Sequence, residues 1–160
     1  MKKIGFTIGK FAPLHKGHQY LIETAIKEMD ELYVIVYKTD LIDIPTEERA
    51  NWIKELYPNV KVILAKNPPK EYGMDERRAK IQTDYLKEML GDVKATHFYS
   101  SEEYGKLVAK NLNVSNRVVD FKREFVPISG TMVRSNVDKF SGYVDKKVFD
   151  DIKKCIWLFS

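Results

Sequence analysis

The residues best suited to chemistry stand in the segment 9–18, which reads GKFAPLHKGH and follows a short apolar run. His15 and His18 stand close together in it, and Lys10 brings a cation to the same segment. A helix that begins near Gly17 would leave free backbone amides, which favour an anion. A glycine there also has no Cβ to keep a phosphate away from the backbone. With two imidazoles aimed at the same place, the pattern predicts a phosphate-binding corner.

Two other interpretations of this segment stay open. His15 and His18 could ligate a metal, although only two ligands are local and no nearby acid completes a set. The pair could also be purely structural. Two common nucleotide motifs are excluded, because the segment is not G-x-G-x-x-G and the pattern G-x-x-x-x-G-K-[ST] does not occur in the sequence.

Buried apolar runs alternate with helical periodicities along the chain. The expected strands are Ile4–Ile8, Leu32–Tyr37, Val60–Ala65, Thr96–Tyr99 and Arg117–Phe121. The expected helices are Gly17–Met29, a segment from Thr46 to near Pro58, Asp75–Leu90, Glu102–Asn111 and Lys146–Leu158. This order predicts an α/β, doubly wound, Rossmann-like sheet of five parallel strands with helices on both faces. Residues 1–160 are expected to form a single domain, with ligands beyond the carboxyl ends of the strands.

The composition is that of an ordinary globular protein. The 160 residues include 27 Lys+Arg and 23 Asp+Glu, a formal net charge of +4, and 44% are hydrophobic. One cysteine, Cys155, excludes an internal disulfide and a cysteine-rich zinc site. No apolar run is long enough to cross a membrane, and polar residues interrupt the stretch that a signal peptide needs. We therefore expect a cytoplasmic protein that binds no membrane.

The positive charge suits an anionic ligand such as a nucleotide. It is spread along the chain, with no basic tail and no aromatic motif for RNA. Nucleic acid is therefore not an expected partner.

The segment 9–18 resembles the G-x-[FW]-x-P-x-H-x-G-H motif of the nucleotidyltransferase superfamily. A second motif of that superfamily, I-S-[ST]-T-x-x-R, is matched by ISGTMVR near the other end of the chain, with Gly130 where many members have Ser or Thr. Ser129 or Thr131 can cap a helix whose free amides face phosphate, and Arg134 stands one turn further on. Together the two motifs are a specific signal for a nucleotidyltransferase.

Other segments narrow the resemblance to the nicotinamide mononucleotide (NMN) adenylyltransferase domain of NadR-type proteins. These are YSSEE, VDFKR and the pattern P-T-x-x-R-x-x-W, at residues 99–103, 119–123 and 45–52. The resemblance implies ATP + NMN → NAD + pyrophosphate, by in-line attack of the NMN phosphate on the α-phosphorus of ATP. It implies this transfer without the kinase and repressor activities of longer NadR-type proteins.

The resemblance also implies roles for particular residues. The residues implied as catalytic are His15, His18, Lys10 and Arg134. The residues implied to bind ATP are Gly9, Phe11, Gly17, Ser101, Glu102, Ser129, Thr131 and Arg134. The residues implied to bind NMN are Lys10, Arg49, Trp52, Tyr72, Lys122 and Arg123. Mg²⁺ is the expected cofactor, held by the ATP phosphates and water rather than by a protein metal site.

For some of these residues, the sequence allows more than one role. Trp52 stands at helical spacing with Ile53 and Leu56, so it could belong to the core instead. Met74 stands where relatives often have a Trp that stacks on nicotinamide, and the sequence leaves NMN and nicotinate mononucleotide undistinguished. We also expect the chain to form a homo-oligomer, because related enzymes are often oligomers.

Three rival functions remain. Phosphopantetheine adenylyltransferases have a similar length and reaction, but they usually have Thr in place of His15 and an acid in place of Ala12. Cytidylyltransferases usually have R-T-x-G-[IV]-S-T-T in the late motif. A non-catalytic module that binds NAD or NMN is the third alternative, and the complete set of catalytic residues argues against it.

Overall fold

The computed structural model describes residues 1–70, 75–103 and 105–158, the last four by their backbone. The strands in this part are β1 Ile4–Gly9, β2 Glu31–Tyr37, β3 Lys61–Ala65, β4 His97–Ser100 and β5 Ser115–Val118. The helices are α1 Lys16–Glu28, α2 Thr46–Leu56, α3 Glu76–Leu90, α4 Gly105–Leu112, α5 Gly130–Ser135 and α6 Lys146–Leu158, with a 3₁₀ turn at Ser141–Tyr143. Among these helices, none is both long and apolar enough to span a membrane.

The five strands form one parallel sheet in the order β3-β2-β1-β4-β5. Strand β1 lies at the centre, and the chain crosses over on one side of it to β2 and on the other side to β4. This arrangement confirms the predicted doubly wound α/β sheet. It also places the switch point, where such sheets bind ligands, at the carboxyl end of β1.

Both faces of the sheet are covered, as successive residues of β2 show. Val34 and Val36 belong to one apolar core together with residues of α1, α2 and α6. Ile35 and Tyr37 point the other way, into a second core with residues of α3 and α4. Because neighbouring strand residues face opposite sides, a strand buried on both faces needs a continuous apolar run. The run LYVIVY in β2 meets this requirement.

Two local predictions were wrong. Strand β5 covers Ser115–Val118 rather than Arg117–Phe121, and Asp120, which adopts a positive φ of 52°, keeps the extended chain from continuing. Helix α4 begins at Gly105 rather than Glu102. Helix α2 begins at Thr46, as expected, and the Thr46 hydroxyl accepts a hydrogen bond from Arg49.

Candidate functional site

A cavity of about 610 Å³ opens at the carboxyl end of β1. Its walls come from the loop after β1, the start of α1, the loops after β4 and β5, and the start of α5. All the residues expected to be catalytic or to bind ATP line it: Gly9, Lys10, Phe11, His15, Gly17, His18, Ser101, Glu102, Ser129, Thr131 and Arg134. The fold therefore brings both sequence motifs, from opposite ends of the chain, to one place.

The two histidines cap helix α1 reciprocally. Nδ1 of His15 accepts hydrogen bonds from the backbone amides of Gly17 at 3.0 Å and His18 at 3.3 Å. Nδ1 of His18 accepts from the backbone amide of His15 at 3.2 Å. Since Nδ1 is an acceptor in both rings, we assign both as the neutral tautomer with its proton on Nε2. The rings stack with their centroids 3.7 Å apart.

The surroundings keep both imidazoles uncharged at neutral pH. Burial, helped by the charges of Arg123 and Arg134, lowers the pKa of His15 to about 4. Burial also holds the pKa of His18 well below its usual value, with further lowering by His15 and Arg123. The histidines can therefore act as N–H donors, and the permanent positive charge of the cavity comes from its lysine and arginines.

Gly17 serves the histidine cap rather than the approach of a phosphate. A Cβ at this position would lie 2.8 Å from Cε1 and 3.0 Å from Nδ1 of the His15 ring. Moreover, the amides of Gly17 and His18 donate to that ring, so they are not the free anion donors that the sequence suggested. The donor that the corner can offer a ligand is the Nε2–H of each imidazole.

Phe11 links the first loop to the histidines. Its backbone has a positive φ of 49°, in the left-handed region that a bulky residue rarely adopts. Its ring is buried and packs edge-on against the His18 ring, with centroids 4.8 Å apart. A Cβ on Gly9 would come within 3.0 Å of the same ring. Gly9 and Phe11 thus shape the floor of the site.

Arg134 is the contribution of the second motif. Ser129 caps α5, its hydroxyl accepting from the Met132 amide at 3.2 Å, as the sequence predicted for one of the two hydroxyls. Arg134 then donates from Nη1 to the Ala12 carbonyl at 2.7 Å and from Nη2 to Thr131 Oγ1 at 3.3 Å. A Cβ on Gly130 would lie 3.0 Å from Nη1, so the glycine leaves room for this guanidinium.

The loop after β5 is organised by a carboxylate that sequence reasoning had left unassigned. Asp120 accepts hydrogen bonds from the backbone amides of Glu124, Phe125 and Val126 at 2.8–3.0 Å. Burial alone would raise the pKa of Asp120, but these bonds and the charge of Arg123 lower it. The available signal was the Asp residue directly after a strand, since Asp side chains often accept hydrogen bonds from the backbone of a turn.

Of the described residues expected to bind NMN, some line this cavity and others do not. Lys10 and Arg123 line the cavity, and Arg123 donates from Nη1 to the Ile128 carbonyl at 3.0 Å. Lys122 is exposed and is not among the lining residues. Tyr72 lies outside the described residues.

Two further residues of that set are buried and do not line the 610 Å³ cavity. Trp52 is 2% exposed in the core, and its Nε1 donates to Asp151 at 2.8 Å, so the expectation of a stacking face is corrected to a core role. Arg49 is fully buried, and its guanidinium donates to the carbonyls of Ile44 and Tyr37. It does not line the 610 Å³ cavity but a second one, of about 400 Å³, beside the loop after β2. The expected contact with the NMN phosphate is therefore not what this geometry favours.

The carboxylates of the site do not make a metal centre by themselves. Among the described residues, no group of three or more His, Cys, Asp or Glu side chains could hold a metal ion. Glu102 and Asp120 line the cavity, but both oxygens of Asp120 accept backbone amides. The N–H donors and cations among the lining residues suit an anionic ligand.

Comparison with known sequences agrees with this site. Residues 6–128 match the family model described as the citrate lyase ligase C-terminal domain. The trifunctional NAD biosynthesis/regulator protein NadR of Escherichia coli (strain K12) is 28% identical over 168 residues, which cover 92% of this chain. A phosphopantetheine adenylyltransferase of Fusobacterium nucleatum is 28% identical over 156 residues, which cover 94% of each chain. The chain spans 40% of the length of the NadR relative.

Solved structures show the same fold. A crystal structure of NadR protein in complex with NAD and AMP-PNP superposes with a TM-score of 0.68, at 24% identity over 93% of this chain and 46% of that one. A structure of NadR protein in complex with NR gives a TM-score of 0.67, at 25% identity over 92% of this chain and 44% of that one. The chain therefore belongs to the citrate lyase ligase C-terminal domain family, and it is similar in sequence and fold to NadR proteins.

Proposed function

We propose that this chain is an NMN adenylyltransferase, which makes NAD and pyrophosphate from ATP and NMN. One observation carries the proposal: the Nε2–H groups of His15 and His18 and the cations Lys10, Arg123 and Arg134 line a single cavity at the switch point of the sheet. Such donors and cations suit phosphoryl chemistry in which charge is stabilised rather than protons moved.

The reaction needs no general base. A phosphate oxygen of NMN, already an anion, attacks the α-phosphorus of ATP and forms a new P–O bond. The bond between the α-phosphorus and the oxygen that bridges to the β-phosphorus breaks, and pyrophosphate leaves with the electron pair. Catalysis then depends on alignment of the two phosphates and on neutralisation of their charge.

Each half of the site has its own part in this step. His15 and His18 donate from Nε2 to oxygens of the ATP phosphates, and because the rings are neutral and locked by their Nδ1 bonds they need no reorientation. Lys10 and Arg134 hold the phosphates and the leaving pyrophosphate. The hydroxyls of Ser129 and Thr131 line the same wall and would contact the β- and γ-phosphates.

The remaining partners complete the proposal. Gly9, Phe11, Gly17, Ser101 and Glu102 would surround the adenosine part of ATP. Mg²⁺ bound to the ATP phosphates would neutralise part of their charge. We assign Arg123 to phosphates near the histidines, because its charge acts on both rings. Lys122 and Tyr72 stay candidates for NMN. A cytoplasmic location and a homo-oligomer remain predictions.

Relatives support the nicotinamide substrate. The NadR relative is named for NAD biosynthesis, and NadR structures hold NAD with AMP-PNP, or NR. The nearest competing proposal is phosphopantetheine adenylyl transfer. It is favoured by one observation, that the Fusobacterium nucleatum relative matches this chain over 94% of both lengths.

Pyrophosphate release separates these proposals. The wild-type chain would be incubated with ATP, Mg²⁺ and one acceptor at a time: NMN, nicotinate mononucleotide or 4′-phosphopantetheine. We expect the highest kcat/KM with NMN. A preference for 4′-phosphopantetheine would replace the proposal by its competitor. NAD binding by calorimetry without turnover of any acceptor would instead indicate a non-catalytic binding module.

A further inference from the structure

The guanidinium of Arg49 is tied to four separate points of the chain. Its Nε donates to the Ile44 carbonyl and its Nη1 to the Tyr37 carbonyl, each at 3.0 Å. Nη1 also donates to the Lys10 carbonyl, and Nη2 donates to Thr46 Oγ1 at 3.0 Å. These bonds use four of the five N–H groups of an arginine. Arg49 thus joins the end of β2 and the loop before α2 to the loop after β1.

This guanidinium is held by neutral acceptors. Arg49 has no exposed surface, and burial lowers its pKa, with an opposing contribution from the charge of Glu47. A buried cation needs its N–H groups satisfied, and the carbonyl oxygens of Lys10, Tyr37 and Ile44 meet this need. The fork of the guanidinium can span several such oxygens at once, whereas a lysine ammonium on a flexible stem cannot.

The bond to Lys10 bears directly on the phosphate site. The Lys10 carbonyl belongs to the peptide unit that leads into Phe11, the residue with the left-handed backbone. Such a conformation persists where the surroundings hold it in place. The Phe11 ring in turn packs on His18, and the Lys10 residue lines the cavity. The orientation of one peptide unit therefore sets the place of a cation and of an imidazole.

We propose that Arg49 is a positioning residue: by fixing the Lys10–Phe11 peptide to the end of β2, it holds Lys10 and His18 in register for the phosphates of ATP. This inference rests on the proposed function. It replaces the expectation that Arg49 contacts the NMN phosphate. It also predicts that loss of the guanidinium changes the kinetic constants for ATP more than the KM for NMN.

The test compares Arg49→Ala and Arg49→Lys with a control variant that loses a different hydrogen bond of helix α2. Asp151→Ala removes the acceptor of the Trp52 indole, a part-buried hydrogen bond that joins α2 to α6 outside the cavity. Thr46→Val removes only the acceptor of the Arg49 Nη2 hydrogen bond. This milder variant provides the test if the Arg49 variants do not fold. Unfolding in urea would be measured for every variant together with kcat and both KM values.

We expect Arg49→Ala and Arg49→Lys to lower kcat/KM for ATP by about tenfold or more, with the KM for NMN nearly unchanged. Thr46→Val should show a smaller change of the same kind. Asp151→Ala should lose stability while its kinetic constants stay within about twofold of wild type. Added methylguanidinium should partly restore Arg49→Ala but not Arg49→Lys, whose side chain still fills the space.

Two outcomes would overturn the inference. One is a rise in the KM for NMN alone, which would mean a direct contact with that substrate. The other is a kinetic profile of the Arg49 and Thr46 variants that matches Asp151→Ala, which would mean a purely structural role.

A separate readout does not depend on any acceptor. Long-range ¹H–¹⁵N spectra report the tautomer and surroundings of His18, and calorimetry with a non-hydrolysable ATP analogue reports binding. Both should change in Arg49→Ala and stay unchanged in Asp151→Ala. If the wild-type chain turned over no acceptor, the proposed function would fail while these two measurements still decided the role of Arg49.

Discussion

Arg134 donates a hydrogen bond of 2.7 Å from Nη1 to the carbonyl of Ala12, 122 positions earlier in the chain. The bond joins the second motif, ISGTMVR, to the loop after β1, which carries the first motif. It occupies one N–H group of a fork that also reaches Thr131, which leaves further N–H groups of the guanidinium directed at the cavity. Its geometry, and not only its charge, therefore belongs to the site.

Arg134→Lys tests whether charge alone suffices. A lysine keeps the cation but cannot bind Ala12, Thr131 and a phosphate with a fixed planar fork. We expect kcat to fall by about 10- to 100-fold, with a smaller change in stability. Steady-state NAD formation at wild-type rate by this variant would show that the bond to Ala12 is dispensable.

His18→Ala tests the neutral donor. The loss of one positioned donor to a developing phosphate charge costs about 10²-fold or more in kcat. His97→Ala is the matched control, because His97, the first residue of β4, hydrogen-bonds to the neighbouring Thr96 and does not line the cavity. Steady-state kinetics should separate the two variants. Equal activity of His18→Ala and wild type, within a factor of two, would remove His18 from the mechanism.

The low pKa of His15 makes the stability of the fold dependent on pH. In the unfolded chain His15 titrates near 6.5, whereas in the folded protein it titrates at about 4. Below pH 6.5 the unfolded chain therefore takes up a proton that the folded chain does not, and stability falls until the pH passes about 4. For this residue alone the loss is about 3 kcal/mol, at about 1.4 kcal/mol per unit.

Urea unfolding at pH 7.5 and pH 5 measures the part of that loss that falls between these pH values, about 2 kcal/mol. The comparison is between the wild-type chain and His15→Asn, because asparagine can still cap α1 but does not titrate. The free energy of unfolding should fall less in the variant between the two pH values. An identical fall in both proteins would contradict the assignment.

Gly17→Ala separates the histidine cap from helix stability. Alanine favours a helix over glycine by about 1 kcal/mol, but its Cβ would meet the His15 ring at 2.8 Å and displace the cap, at a cost of about 1 kcal/mol. The two effects nearly cancel, so we expect little change in the free energy of unfolding. Activity should nevertheless fall by about tenfold or more, because His15 leaves its position.

Gly142→Ala provides the control for this substitution. A Cβ at Gly142 meets no atom within 4 Å, so its activity and its urea midpoint should stay close to those of wild type. If Gly17→Ala matched Gly142→Ala in activity, the room that Gly17 makes for His15 would have no functional consequence.

Much of the fold could be predicted because its signals are local. The run LYVIVY is apolar on both faces, which only a strand inside a covered parallel sheet requires. Asp75 and Gly91 bound α3 as an N-cap and a C-cap, and these residue types act within one turn of the helix. The end of β5 was misjudged because Val118, Val119 and Phe121 look like one apolar run, although Asp120 turns the backbone before Phe121.

The site was predictable in its membership but not in its contacts. His15, His18 and Arg134 stand in spaced motifs that name a phosphate site, and residue type and spacing are properties of the chain alone. The atoms that these residues present to a ligand are not determined by the sequence alone. Only the folded chain shows that Nδ1 of both rings is taken by backbone amides, which leaves Nε2 for a ligand.

Arg49 and Trp52 are two residues whose roles the sequence did not determine. Their residue types suited substrate binding as well as burial, and no pattern in the sequence distinguishes a guanidinium that meets phosphate from one that meets carbonyls. Residue type and order thus determined the architecture and the chemical class of the site. Three-dimensional packing decided the partner of each polar group, because hydrogen bonds such as Arg49 to Tyr37 or Trp52 to Asp151 depend on which distant segments the fold brings within 3 Å.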